Sequence, residues 1–403
     1  MLSKPATECR LELVRSNKQT TLTDISIGKY IYYAGHILQF ALSILLSSVS
    51  FLHHSVPYSK QATHNRINPV SCLIPQLSNI FHIQSIMAAK KVLVVFGATG
   101  IQGGSVVKAI LGDSKMRENW TVRGVTRDVS KPSSKALESL GAETVAADLN
   151  NASTLQNALK GAYAVFAVTN YWESHSADVE MKQGKAMADA AKEAGVQHFV
   201  WSSLMNVSEL TKGVLTKVLH FDSKAHIEEY IRSTGMPATF FMPGFYMSNL
   251  PGTTLRQINN DWTLALPIPT SAPIPLLSTA DDVGKFVKGI LLNREKVLGK
   301  RIYGATDYYT IDEIVKEFKE QFPEAGKTAK AVELSHQDYK DALGSKGMPV
   351  ETQEELLQNM RLLSEFGYYG GSSLDESHSI LVDKLTTWKE FMATKAPAFA
   401  SLK

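Results

Sequence analysis

The sequence predicts an α/β protein built on a doubly wound parallel sheet, with a smaller α+β subdomain after it. Three observations predict this. Short apolar runs alternate with segments of helical period from Lys91 to Pro243. A glycine cluster, Gly97-Ala98-Thr99-Gly100-Ile101-Gln102-Gly103-Gly104, follows the first apolar run and opens the first helical segment. The 403 residues are 44% apolar and 20% charged, which excludes a wholly disordered, collagenous or disulfide-scaffold chain.

The elements follow in order. Lys91–Phe96 is a β-branched strand, and Gln102 to about Leu111 has helical spacing. Trp120–Thr126, Thr144–Asp148, Ala162–Thr169, His198–Ser203 and Ala238–Met242 are the next five strands. Helices lie between them at Pro132–Leu140, Ser153–Leu159 with Ser153 as cap, Asp178–Ala194 with Gly195 as stop, and Leu219–Ser233. The strands read as continuous apolar runs, the pattern of a sheet buried on both faces. From about residue 244 a proline-punctuated, loop-rich stretch follows, then helices at Ala280–Leu292, Ile311–Phe322, Glu351–Glu365 and Asp375–Met392. Short strands at Arg301–Ala305 and Ala329–Leu334 separate some of these. The expected division is a nucleotide-binding domain over 87–243 and a covering subdomain over 244–403, with the chain returning to the sheet.

Residues 1–86 differ in kind. They carry seven Lys/Arg and three acids, so the overall +3 charge belongs to them and the remainder is at −1. The main body has no clustered basic surface of the kind that neutralises phosphates, so direct nucleic-acid binding is not expected. Cys9 and Cys72 both precede residue 87, which excludes a disulfide framework or cysteine metal site in the body; no metal is expected. Tyr30–Leu52 is an uncharged apolar run long enough to span a bilayer, but His36, Gln39 and four serines make insertion marginal. Three readings compete: a membrane anchor, an organelle-targeting segment, or upstream sequence absent from the mature protein. The third is the expectation, with Met87-Ala88-Ala89-Lys90-Lys91 as the natural start.

The glycine loop carries the strongest chemistry. Gly97, Gly100 and Gly103 have G-x-x-G-x-x-G spacing between a strand and a helix. The first allows a tight turn, the second lets backbone N–H groups reach a pyrophosphate, and the third lets helix and strand pack closely. This predicts a Rossmann-type dinucleotide site, with the helix N-terminus facing the phosphates. Arg127 closes the second strand where an NAD site would place a carboxylate. Its guanidinium suits a 2′-phosphate, and Lys131 and Lys135 lie close behind, so NADP(H) is preferred over NAD(H). Asp128 keeps a ribose contact open, and Asp148 would sit beside the adenine or cap the following helix.

Short-chain dehydrogenases place a Ser after the fifth strand and Tyr-x-x-x-Lys on the next helix. Here Ser202 and Ser203 end the fifth strand and Lys224 lies on that helix, but His220 occupies the Tyr position. None of the 14 tyrosines has a Lys four residues later. Lys224 is expected to hold the nicotinamide ribose. His220, one turn away, is either an acid–base group or a surface or capping histidine. Tyr171, Trp172, Phe245 and Tyr246 are expected to line a pocket or to pack in the core.

The segments VFGATGIQGGSVV, VTR, VTNYWES (Val168–Ser174), KQGK (Lys182–Lys185) and HFDSK (His220–Lys224) resemble NmrA-type proteins, atypical relatives of the short-chain dehydrogenases. The likeness is to the redox-sensor subgroup and covers about residues 90–395. It implies NADP(H) contacts from Gly97, Ala98, Thr99, Gly100, Ile101 and Gln102, from Arg127 to Lys131, and from Asp148 and Leu149. It implies further contacts from Thr169, Asn170 and Tyr171, from Lys182 and Lys224, and from Phe245, Tyr246, Met247 and Asn249. It further implies a cytoplasmic or nuclear protein that reports dinucleotide state to a protein partner such as a transcription factor. The alternative it implies is a reductase of quinones, enones or small carbonyls. A homodimer is compatible with either.

Overall fold

The computed structural model describes residues 90–402 other than Lys395; Tyr30–Leu52 and both cysteines lie outside the described residues. The main sheet has seven parallel strands: β1 (Lys91–Val95), β2 (Trp120–Thr126), β3 (Glu143–Ala146), β4 (Ala164–Ala167), β5 (His198–Ser202), β6 (Ala238–Pro243) and β11 (Arg301–Gly304). Their order is β11-β6-β5-β4-β1-β2-β3. Chain direction across the sheet therefore reverses between β1 and β4, and that reversal opens a crevice at the carboxyl ends of the strands.

The helices between these strands are α1 (Ile101–Gly112), α2 (Ser114–Asn119), α3 (Pro132–Ser139), α4 (Ala152–Leu159), α5 (Tyr171–Ser174), α6 (Ala177–Glu193), α7 (Val207–Leu210) and α8 (Leu219–Ser233). Alternate β1 side chains feed opposite faces. Leu93 and Val95 join one core layer with Val106, Ile110 and Phe286, while Val94 and Phe96 join the other with Leu155, Met187 and Trp201. This two-sided burial is why the strands read as unbroken apolar runs.

Beyond β6 come β7 (Phe245–Tyr246), β8 (Leu255–Ile258), β9 (Asp261–Leu266), β10 (Pro273–Leu277), and, after β11, β12 (Asp307–Thr310) and β13 (Lys330–Glu333). They make two three-stranded sheets, β12-β10-β7 and β13-β9-β8. The helices here are α9 (Thr279–Leu292), α10 (Arg294–Val297), α11 (Ile311–Gln321), α12 (His336–Gly344), α13 (Val350–Glu365), α14 (Asp375–His378) and α15 (Trp388–Thr394). Their core includes Trp262, Phe318, Trp388 and Phe399.

Three local expectations change. The proline-rich stretch after residue 244 contains four strands; Pro273 stands first in β10, where a missing N–H costs least. The cap of α4 is Asn151, and Ser153 Oγ donates to its Oδ1 at 2.9 Å. The continuous helix expected at Asp375–Met392 is two helices, broken where the Thr386 N–H and hydroxyl donate to buried Asp282 at 2.9 and 3.0 Å. Thr387 and Glu390 then exchange reciprocal hydrogen bonds that start α15, a capping box legible as Thr-x-x-Glu. Among the described residues no helix is long and apolar enough to cross a membrane.

Candidate functional site

A cavity of about 970 Å³ lies at the carboxyl ends of the sheet strands and runs on to α12 and α13. The glycine loop forms its floor. Gly97 has φ +62°, in the left-handed region, and a Cβ at Gly103 would stand 2.3 Å from the Gly97 carbonyl oxygen. Only glycine at 103 lets α1 start this close to β1. The first turn of α1 has no side-chain cap and no acid, so its leading N–H groups remain for an anion.

Most of the expected site residues come together on the lining. Gly97, Thr99, Gly100, Ile101, Gln102, Gly103, Arg127, Lys131, Asp148, Leu149, Thr169, Asn170, Tyr171, His220, Lys224, Phe245, Tyr246 and Asn249 all line the cavity. Three do not. Ala98 is fully buried beneath the loop, Met247 is fully buried in the C-terminal core, and Lys182 is exposed on α6, where its neighbour Gln183 lines the cavity instead.

The loop after β2 is engaged with itself and with α5. Arg127 pairs with Glu173 across the cavity mouth, both side chains more than half exposed. Asp128 Oδ1 accepts from the Ser130 N–H at 2.8 Å and from its hydroxyl at 2.6 Å, which hold its carboxyl below the usual range. Lys135 pairs with Glu138 at 3.0 Å. Asp148 Oδ1 accepts from the Asn150 N–H at 2.9 Å and so turns its own loop; it does not cap α4.

Lys224 is held rather than free. Its Nζ lies 2.5 Å from Glu180 Oε1 on α6, and Glu180 also accepts from Thr169 Oγ1 at 2.7 Å and from Ser223 Oγ. The helices meet because Gly184, one turn from Glu180, has no side chain where Ile227 sits; a Cβ there would lie 2.5 Å from Ile227. Glu180 is 1% exposed, and a buried carboxylate with three donors fixes Lys224 as its charged partner.

His220 is no surface residue. Its Nδ1 lies 2.6 Å from Glu355 Oε1 on α13, and its backbone N–H donates to the same oxygen at 2.8 Å. Its ring sits 4.8 Å from that of Trp172. Tyr171 OH donates to Glu355 Oε2 at 3.1 Å. Burial would raise the Glu355 pKa, but the pair with His220 outweighs it and holds the carboxyl below its ordinary value. An ionised carboxylate only accepts, so Nδ1 carries the proton. Burial lowers the His220 pKa, against the opposing pull of Glu355, leaving a neutral ring with Nε2 as acceptor. Burial and the Glu355 charge raise the Tyr171 pKa.

A second chain of hydrogen bonds crosses the cavity floor. Ser202 Oγ donates to Gln102 Oε1 at 2.8 Å, and Gln102 Nε2 donates to Tyr246 OH at 2.8 Å. The Tyr246 oxygen is thus an acceptor from Gln102, and its own proton is left for the cavity. Burial pushes its pKa up to about 12, against the lowering effect of the Gln102 bond, so the phenol stays neutral. Sequence reasoning did not find Glu180, Glu355 or this use of Gln102. Lys224 is 44 residues from Glu180, His220 135 from Glu355 and Tyr246 144 from Gln102, and no short-range spacing marks these pairs.

With this geometry established, comparison with known proteins is decisive. The NmrA-like family model matches residues 89–392. The chain belongs to the NmrA-like family. It is 30% identical over 303 residues to the NmrA-like family domain-containing oxidoreductase cpsB of Aspergillus campestris, covering 70% of this chain and 86% of that protein. Its fold is shared with NmrA, a negative transcriptional regulator solved in complex with NADP, at a TM-score of 0.64 and 22% identity over 76% of this chain and 96% of that one. It is shared also with the NADP(H)-complexed triphenylmethane reductase of Citrobacter sp., at a TM-score of 0.60 and 20% identity over 74% and 98%.

Proposed function

We propose that this NmrA-like protein is an NADPH-dependent oxidoreductase acting on a quinone, enone or small carbonyl. The observation that carries the reading is the Ser202–Gln102–Tyr246 chain, which presents a neutral phenol proton to the same cavity that Lys224 lines. The uncapped α1 N-terminus and the side-chain-free cradle at Gly103 fit a dinucleotide pyrophosphate. Arg127 and Lys131 would take the 2′-phosphate, which favours NADP(H) over NAD(H). Asp148 and Leu149 would flank the adenine, and Thr169, Asn170 and Lys224 the nicotinamide half. NADPH, when bound, supplies a hydride.

The protein's own residues do the rest. Tyr246 gives its proton to the substrate oxygen that gains negative charge, and water returns a proton to the phenolate; this is the task of the missing Tyr of Tyr-x-x-x-Lys. Lys224, held in place by its ion pair with Glu180, adds positive potential at that point. His220 accepts through Nε2 and orients the substrate, because its one ring proton, on Nδ1, is committed to Glu355. In this scheme residues 87–243 hold the dinucleotide and 244–403 supply the substrate wall. The oxidoreductase name of the Aspergillus relative and the NADP(H) complex of the Citrobacter reductase support the reading.

A second reading is a sensor that signals dinucleotide state to a regulatory protein. It is favoured by the NADP-bound regulator that shares the fold and by the Arg127–Glu173 pair, through which nucleotide would act on α5. The test is NADPH consumption by the purified chain with a panel of quinones, enones and aldehydes. Consumption that falls at least about a hundredfold in Tyr246→Phe supports the reductase. Tight binding with no consumption on any substrate supports the sensor.

A further inference from the structure

The cavity continues past the catalytic groups, and its far wall has a different character from its near one. The acids on the lining, Asp128, Asp148 and Glu173, all stand at the β2–β4 side. The far lobe lies between α12, α13 and the β8–β9 hairpin and has no acid on its lining. Its walls are apolar: Leu266, Leu343, Met348, Leu356 and Met360. Set among them is Asn359, 7% exposed, whose Nδ2 is buried without a hydrogen-bond partner. An unpaired buried amide of this kind is costly and calls for an acceptor. Arg256 on β8 and Lys346 after α12 stand on the same lining, and neither has an ion pair among the described residues. Tyr339 and Thr253 add hydroxyl donors here, while the Thr254 hydroxyl already donates to the Asn249 and Leu250 carbonyls.

We infer that the far lobe is a substrate-recognition site for the anionic end of a bulky apolar molecule, with Asn359, Arg256 and Lys346 receiving a carboxylate. The apolar walls take the body of the molecule, and its reducible group reaches back toward Tyr246. Arg256 stands in the separate β13-β9-β8 sheet and Lys346 after α12, whereas Arg127 and Lys131 follow β2 of the main sheet, so the two cations are assigned to a different ligand from the 2′-phosphate. This inference rests on reading the near half as the dinucleotide site.

The test is calorimetry of the full chain saturated with NADP+, which cannot reduce the probes, using a formylnaphthoic acid and its methyl ester. The acid is expected to bind about tenfold or more tightly than the ester, and added salt should narrow the gap. The double variant Arg256→Gln/Lys346→Gln should remove the preference and leave ester binding unchanged. Asn359→Leu should weaken the acid several-fold. Equal binding of acid and ester, binding of neither, or a preference that survives the double variant would overturn the inference. So would a preference lost in Arg127→Ala, which would place the carboxylate in the 2′-phosphate site. NADPH consumption, followed separately, judges the reductase reading. Acid preference without turnover leaves the pocket and removes the reductase; turnover of the ester without acid preference does the reverse.

Discussion

Arg127, at the end of β2, pairs with Glu173 on α5 across the mouth of the cavity. A guanidinium assigned to a nucleotide phosphate thus already holds a carboxylate in the same protein. Both groups are largely exposed, so the pair is weak and readily exchanged. Glu173→Gln is therefore expected to tighten NADP(H) by about two- to threefold with the affinity for NAD(H) unchanged. Arg127→Ala should weaken NADP(H) by about tenfold or more and leave NAD(H) alone. Calorimetry with both nucleotides checks this; equal losses for the two would remove Arg127 from the 2′-phosphate.

Lys224 and Glu180 form the buried counterpart of that surface pair, 10% and 1% exposed. Removing one partner leaves a charge without compensation. Glu180→Ala is expected to cost about 3–5 kcal/mol in chemical denaturation, and Glu180→Gln/Lys224→Met to recover part of the loss. A single variant within about 1 kcal/mol of wild type would contradict a buried, charged pair.

His198 gives the fold a pH dependence. It is fully buried on β5, and its Nε2 lies 2.9 Å from Thr239 Oγ1. The Thr239 proton goes to the Val297 carbonyl at 3.0 Å, so Nε2 must donate and Nδ1 is left bare and unpartnered. Burial, aided by the charge of Arg294, pushes the His198 pKa down to about 4. The unfolded chain, with an ordinary histidine, binds more protons between about pH 6.5 and pH 4. Stability is thus fully present above about pH 6.5 and is lost as pH falls, by about 3 kcal/mol from this residue. His198→Val should flatten the slope of denaturation midpoint against pH over that range; an unchanged slope would contradict the account.

Gly103→Ala tests the loop. The added Cβ would meet the Gly97 carbonyl oxygen, a backbone atom that cannot step aside without moving β1 or α1. A loss of dinucleotide affinity of about tenfold or more is expected, with a lower melting temperature. Wild-type binding in this variant would show that the loop is not the phosphate cradle.

The sheet was legible because its strands are buried on both faces and its turns carry glycine, as at Gly195 and Gly235. The glycine-loop half of the cavity was legible for a related reason: Gly97, Gly100, Gly103 and Arg127, which all line it, lie within one β-α-β unit, where spacing reports geometry. The other half was not. Glu355 reaches His220 from 135 residues away, and Tyr246 reaches Gln102 from 144. Such contacts are set by how α13 and β7 pack, which no local period encodes. The strand β10 was hidden by its prolines Pro273 and Pro275, and the α14–α15 break by Asp282, which draws Thr386 out of helical geometry.

The most direct measurement is isotope transfer. The purified chain is given NADPH carrying deuterium at both nicotinamide C4 positions together with each enone and aldehyde of the panel, whose products keep the label on carbon, and these are weighed by mass spectrometry; quinones, whose label would exchange from oxygen into water, are followed by NADPH oxidation. The account predicts a reduced product carrying one deuterium, its formation lost in Tyr246→Phe. Bound nucleotide with no deuterium in any enone or aldehyde product and no quinone-dependent NADPH oxidation would contradict it.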